Sequence, residues 1–448
     1  MNKIVHVIGA GLAGCEAAYQ LSKRGFKVLL YEMKTIEKNP AQKIEDFAEL
    51  VCSNSLKSSE ITNACGLLKI ELEKLDSLLI NCANMTKVPA GNALSVDRLQ
   101  FSKLVTQKIK QDPNIEIVEK EFSEIDPSCN TIIATGPLTS SKLCQSLQDM
   151  LGQNFLSFYD AISPIVYSDS IDMNIAYIAD RYGKGSGDYL NCGMNKEEYL
   201  NFYNNLITAK TAVLKNFEHN VFEGCMPVEV LASRGVDSLR FGPLKPVGLN
   251  NPITNEKYYA VLQLRKENVQ GSAYNLVGFQ TNLIPAEQKR VFSLIPALKN
   301  VEFATYGAMH KNIFVNAPKC LNEFSQLKNF NNIFIAGQLS GVEGYVESIA
   351  SGLLCGINMA RYLSGQTLLN FSYKTVIGAL QNYIANANEN NFQPMNANYA
   401  IMEELTEKIK DKKLKREILA KISLDYIQEI KEKFDVWNKI KRNNNYRC

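Results

Sequence analysis

The chain has 448 residues, 46% of them hydrophobic and 21% charged, with a formal net charge of +3. That is the profile of a globular protein large enough for two or three domains, or for one domain with a large insertion. There is no run of eighteen apolar residues, and Met1-Asn2-Lys3 leads straight into a strand. Transmembrane and secretory readings are therefore set aside, and a cytoplasmic protein without a membrane partner is expected.

The eleven cysteines are scattered without a C-x-x-C pair, and the three histidines (His6, His219, His310) are dispersed. No metal site is expected, and most of the thiols read as reduced and buried.

In chain order, Ile4–Ile8 reads as a buried strand, followed by Gly9-Ala10-Gly11-Leu12-Ala13-Gly14, a helix, and a second strand ending on Glu32. In a G-x-G-x-x-G turn the first glycine permits a tight turn. The second lets amides approach a pyrophosphate, and the third lets helix and strand pack closely. The helix N-terminus offers unpaired N–H groups to phosphates, and Glu32 can accept from a ribose. A dinucleotide is expected here, and the motif alone allows NAD or FAD.

Helical spacing follows over residues 66–80 and again from Asp97 to Gln111. The strand Thr131–Ala134 runs into Thr135-Gly136, a place where two-dinucleotide-fold flavoproteins pass their cofactor. A helix is expected over 139–151. Residues 155–325 are richer in Tyr, Asn and Gly, with short strand-like pieces and one helical stretch over 196–216, the mark of an inserted α+β domain. Asn332–Ala336 returns to a buried strand, and Gly337-Gln338 and Tyr345 then lead into a helix to Tyr362. The closing segment, 366–448, reads as helical. Net charge is too small to identify an anionic partner, but residues 401–448 hold thirteen Lys/Arg against nine Asp/Glu, including Lys408, Lys410, Lys412, Lys413, Lys415 and Arg416. This is either a solvated amphipathic face or a surface for nucleic-acid phosphates.

From end to end the chain resembles the folate- and FAD-dependent tRNA uracil-5-methyltransferase family, TrmFO. The words that carry the resemblance are G-A-G-L-A-G-C-E-A-A, E-L-V-C-S-N-S-L-K-S, V-P-A-G-N-A-L-S-V-D-R, F-E-G-C-M-P-V-E, F-G-P-L-K-P-V-G-L, Y-N-L-V-G-F-Q-T and A-G-Q-L-S-G-V-E-G-Y-V-E-S. It implies an α/β fold: a Rossmann-like, GidA-like FAD-binding domain (1–185 and 325–448) interrupted by an α+β insertion domain (186–324). It also implies 5,10-methylenetetrahydrofolate as carbon donor, reducing equivalents from NAD(P)H through the flavin, and 5-methyluridine in the T loop of tRNA. Relatives in some small-genome bacteria act on 23S rRNA, and the richness in Asn, Lys and Ile keeps that target open.

Uracil C5 becomes nucleophilic only after addition at C6, a task suited to a thiolate. By resemblance Cys225 is that nucleophile, and Cys52, near the flavin, is the base that takes the C5 proton. Gly9 to Gly14, Glu32, Thr135, Gly136, Gly337, Gln338 and Tyr345 are expected at the cofactor, Tyr345 as a stacking platform. His310 is a weaker candidate for folate or RNA. Asn191-Cys192-Gly193-Met194, Lys311 and Leu339-Ser340 depart from the family pattern, and Lys311 in place of arginine loses a bidentate fork. The rival readings are the paralogous flavoprotein of wobble-uridine modification and a non-catalytic RNA-binding flavoprotein.

Overall fold

Two β-sheets organise the computed structural model, which describes residues 4–39, 41–183, 187–212 and 226–444. The first strand, β1 (Ile4–Ile8), buries Val5 and Val7 completely. Helix α1 (Leu12–Ser22) and strand β2 (Lys27–Glu32) follow it, with β2 parallel to β1. The sheet reads, from one edge, Gln326–Leu327, Phe330–Ile335, Thr131–Ile133, β1, β2 and Ile115–Glu119. Every pairing is parallel except that of the first two strands. A sheet buried on both faces explains the continuous apolar runs, since alternation is needed only where one face meets water.

Parallel pairing sends the carboxyl ends of β1, β2, Thr131–Ile133 and Phe330–Ile335 to one edge of the sheet. Strand order there places the first βα turn between Glu32 and the Thr135-Gly136 turn, the crevice where ligands of open α/β sheets bind. Helix Tyr345–Leu363 packs on α1 so closely that a Cβ on Gly352 would lie 2.2 Å from the carbonyl oxygen of Ala13. Small residues on this helix therefore serve backbone contact.

The second sheet is antiparallel throughout, in the order Tyr177–Ile178, Tyr189–Met194, Ala260–Lys266, Ala273–Leu276, Ile165–Tyr167 and Phe303–Thr305. Buried Tyr199, Phe202, Phe279 and Phe292 form its core. Two of its strands precede residue 186. The chain passes to this sheet along Leu156–Ala161 and returns along Met309–Phe314, and these two strands pair with each other.

Several elements differ from the sequence reading. The spacing over 66–80 resolves into two helices, Ala64–Lys74 and Leu78–Met85, because Asp76 takes a left-handed φ of 61° and Ser77 caps the second helix. The helix expected over 196–216 ends at Ile207, beyond which Thr211 bridges to Leu283. Residues 366–444 hold helices Val376–Asn386 and Lys412–Asn444, joined by chain whose one helical piece is a short 3-10 turn at Tyr399–Ile401.

Candidate functional site

The glycine turn opens onto a cleft at the carboxyl edge of the parallel sheet, with about 1120 Å³ of empty space counting the open solvent at its mouth. Each glycine has a distinct steric reason. Gly9 sits at φ +96°, where a Cβ would lie 2.8 Å from the oxygen of Ala134. On Gly14 a Cβ would fall 1.8 Å from the oxygen of Gly9, so helix and turn require hydrogen there. On Gly11 a Cβ would meet no protein atom within 4 Å, and Gly11 lines the cleft. Nothing in the protein demands that glycine. The turn leaves the Gly11 backbone open to the cleft, and no side chain caps the N-terminus of α1 beside it.

Glu32 ends β2 at the same edge. Its Oε2 accepts from the amide of Ala10 (2.9 Å), and Oε1 accepts from Met33 (2.8 Å) and Lys34 (3.0 Å). Those three bonds fix the carboxylate and leave lone-pair capacity for a ligand hydroxyl. Leu12, Ala13, Thr135, Gly136, Gly337, Gln338 and Tyr345 also line the cleft, while Ala10 and Gly14 are buried behind it. Gly136 and Gly337 both adopt positive φ, 70° and 73°. Lys120 and Phe122 line it too, and sequence reasoning missed them. Their only signal was their place just after a strand that proves to neighbour β2.

The cleft's other end is built around Tyr345. Its hydroxyl oxygen accepts from the amides of Cys52 (2.7 Å) and Ser53 (3.0 Å). Cys52 does not line the cleft. Burial, helped by the Asp160 carboxylate, pushes its thiol pKa up, while Arg98 and Arg265 pull the other way. The thiol is therefore protonated in this form, and use of Cys52 as a base requires a change in its surroundings. Arg265 holds the same loop by donating from Nε to Asn54 Oδ1 (2.9 Å) and from Nη2 to Ser53 Oγ (2.8 Å). Behind Gln338, its Nε2 donates to Glu343 Oε2 at 2.5 Å.

His310 stands opposite Asp160 on the paired strands outside the cleft, and burial lowers its pKa, which keeps the ring neutral. Lys311 is exposed and borders a shallower opening beside Pro137-Leu138-Thr139. Cys225 lies outside the described residues. Among the described residues no cluster of His, Cys, Asp or Glu suits a metal ion, and no helix is long and apolar enough to cross a membrane. Helix Lys412–Asn444 buries Leu419, Ala420 and Ile427 and leaves Lys412, Lys413 and Arg416 exposed.

Residues 4–367 match the family described as glucose inhibited division protein A. The methylenetetrahydrofolate–tRNA-(uracil-5-)-methyltransferase TrmFO of Acetivibrio thermocellus is 53% identical over 435 residues, 97% of this chain and 100% of the relative. The enzyme of the same name from Bacillus subtilis is 51% identical over 430 residues, 96% of this chain and 99% of its own. Among solved structures, GidA of Aquifex aeolicus superposes with a TM-score of 0.67 at 15% identity, over 98% of this chain and 76% of that one, a likeness of fold.

Proposed function

The chain belongs to the TrmFO family, and with it to the GidA family, and from that premise we propose that it methylates C5 of a tRNA uridine in the cytoplasm, with 5,10-methylenetetrahydrofolate as carbon donor and FAD as resident cofactor. The observation that carries this reading is the cleft itself. It joins an open backbone approach at Gly11, a fixed carboxylate at Glu32, and Tyr345, whose hydroxyl tethers the Cys52 loop. Relatives named for tRNA support a tRNA uridine as substrate; the T-loop uridine is the proposed position, and NAD(P)H is the proposed source of electrons.

In this scheme the amides of the Gly9–Gly14 turn bind the pyrophosphate and Glu32 the ribose. Thr135, Gly136, Gly337 and Gln338 border the rest of the cofactor. Tyr345 offers its ring to the cleft while its hydroxyl fixes the Cys52 loop. Bound FAD supplies the hydride that turns the transferred methylene carbon into a methyl group. Cys225 adds through sulfur to uracil C6, making C5 nucleophilic. Cys52 accepts the C5 proton once Arg98 and Arg265 outweigh its burial and Asp160. The exposed lysines of 408–416 meet RNA phosphates. The division of labour is a cofactor-holding part made by both ends of the chain and an insertion carried on the paired strands Leu156–Ala161 and Met309–Phe314.

A 5-fluorouridine RNA tests the nucleophile, because fluorine cannot leave C5 as a proton does and the adduct stalls. The purified protein is expected to be yellow and to form that adduct, and Cys225→Ala to abolish it. Failure of both tRNA and 23S rRNA fragments to form an adduct overturns the assignment. Cells lacking the gene are expected to lose 5-methyluridine from tRNA and to keep it in 23S rRNA.

A further inference from the structure

Gln338 follows the left-handed Gly337 and lines the cleft with an amide whose two ends differ chemically. Its Nε2 is committed to Glu343, so the acceptor Oε1 is the end left for a ligand. Glu343 is 7% exposed, on the loop before helix Tyr345–Leu363. Asp160 approaches it from strand Leu156–Ala161 and Glu347 from the helix. Lys57, from strand Ser55–Ser58, is the opposing cation, and its ammonium is shared with Glu347 at 3.3 Å. Segment 392–398, which packs against this loop through the bond from Glu343 N–H to the Met395 carbonyl, carries no titratable side chain. Burial, Asp160 and Glu347 favour the neutral acid at Glu343 over its anion, against Lys57 and the hydrogen bond from Gln338.

A carboxylate and a carboxylic acid ask opposite things of their partner. The anion accepts, which holds Gln338 with Nε2 toward Glu343. The acid keeps one acceptor oxygen but adds an O–H donor, and that donor is satisfied when the amide turns over and offers Oε1, presenting NH₂ to the cleft.

We propose that Glu343 is a positioning residue whose proton decides which end of the Gln338 amide, acceptor or donor, faces the ligand in the cleft. The consequence rests on the reading that this ligand is FAD. A flavin ring nitrogen that accepts when oxidised carries N–H when reduced. The donor end set by the Glu343 acid therefore suits the oxidised ring, and the acceptor end set by the anion suits the reduced ring. Proton loss at Glu343 is thus coupled to reduction of the flavin through one side chain.

The test uses the purified holoenzyme, with Glu343→Gln and Gln338→Leu as variants. By infrared difference spectroscopy the wild type is expected to show a protonated-carboxyl band at neutral pH that disappears at alkaline pH and is missing in Glu343→Gln. The midpoint potential of its flavin is expected to bend with pH over the same range, and the flavin bound by either variant to lose that bend. Absence of the band at neutral pH, or identical potential-against-pH curves for wild type and Glu343→Gln, overturns the proposal. Should Glu343→Gln not fold, Asp160→Asn replaces it and is expected to move the band's disappearance to lower pH; an unmoved band overturns the proposal. A protein without flavin refutes the cofactor reading alone, since the infrared band still reports the proton on Glu343.

Discussion

The hydroxyl oxygen of Tyr345 accepts a 2.7 Å hydrogen bond from the backbone amide of Cys52, across 293 positions of chain. With the second bond from Ser53, it is the tie between helix Tyr345–Leu363 and the loop that carries the cysteine. Tyr345→Phe keeps the ring at the cleft and strands two amides, a cost of about 1–3 kcal/mol concentrated on that loop. Flavin content is expected to survive while kcat falls roughly 10- to 100-fold, since small misplacements of a reacting group are expensive. Absorbance and steady-state methylation measured on one preparation check this. Equal losses of flavin and activity would assign Tyr345 to cofactor retention.

The second and third glycines of the turn separate binding from folding. Alanine at Gly11 meets no protein atom, and Gly11 already has an ordinary extended conformation (φ −77°). The flavin-free protein is expected to unfold at the wild-type temperature, with FAD affinity reduced tenfold or more, about 1.4 kcal/mol at least. Alanine at Gly14 would drive a methyl against the Gly9 carbonyl and is expected to cost about 3 kcal/mol in the flavin-free protein. Thermal unfolding with and without FAD distinguishes the two variants.

What could be read from sequence follows from how local each feature is. The β1–α1–β2 unit, Thr135-Gly136 and Gly337-Gln338 were legible because the chain writes strand, turn and helix within a few residues, and parallel strands bring their ends to one edge. Lys120 and Phe122 were not, because their relevance depends on Ile115–Glu119 pairing with β2. Strands as short as Ile165–Tyr167 carry too little periodicity to announce their places in a sheet. The tie from Tyr345 to Cys52 and the grip of Arg265 on Asn54, 211 positions away, exist only after tertiary docking. The role expected of Cys52 came from the family resemblance, and spacing could not give its partners.

Glu71 predicts a pH dependence of stability. Its buried carboxyl accepts from the amides of Val376 (2.8 Å) and Ile377 (2.9 Å) and from the hydroxyl of Ser423, joining three helices. Burial outweighs these bonds and raises its pKa to about 7 from 4.5. The folded state then binds the proton more tightly than the unfolded chain, so stability is greatest below the unfolded value and falls as pH rises toward the folded one. The loss across that window is about 3 kcal/mol. Urea midpoints for wild type and Glu71→Gln are expected to differ in slope there and to run parallel above it. Parallel curves throughout would mean that the carboxyl is ionised in the fold.

Arg265 acts on Cys52 in two ways, and one variant exposes both. Its guanidinium fork holds Asn54 and Ser53, and its charge opposes the burial and Asp160 that keep the neighbouring thiol protonated. Arg265→Met removes both effects. The stranded side chains of Asn54 and Ser53 cost about 1–3 kcal/mol, and with one cation fewer the thiol pKa rises further. Alkylation of Cys52 by iodoacetamide, followed by peptide mass spectrometry, is therefore expected to slow at every pH where the wild type reacts. Arg265→Lys keeps a charge and loses the fork, so it is expected to restore part of the alkylation rate and little of the stability. A methionine variant that alkylates faster than wild type would mean that the arginine shields Cys52 more than its charge activates the thiol.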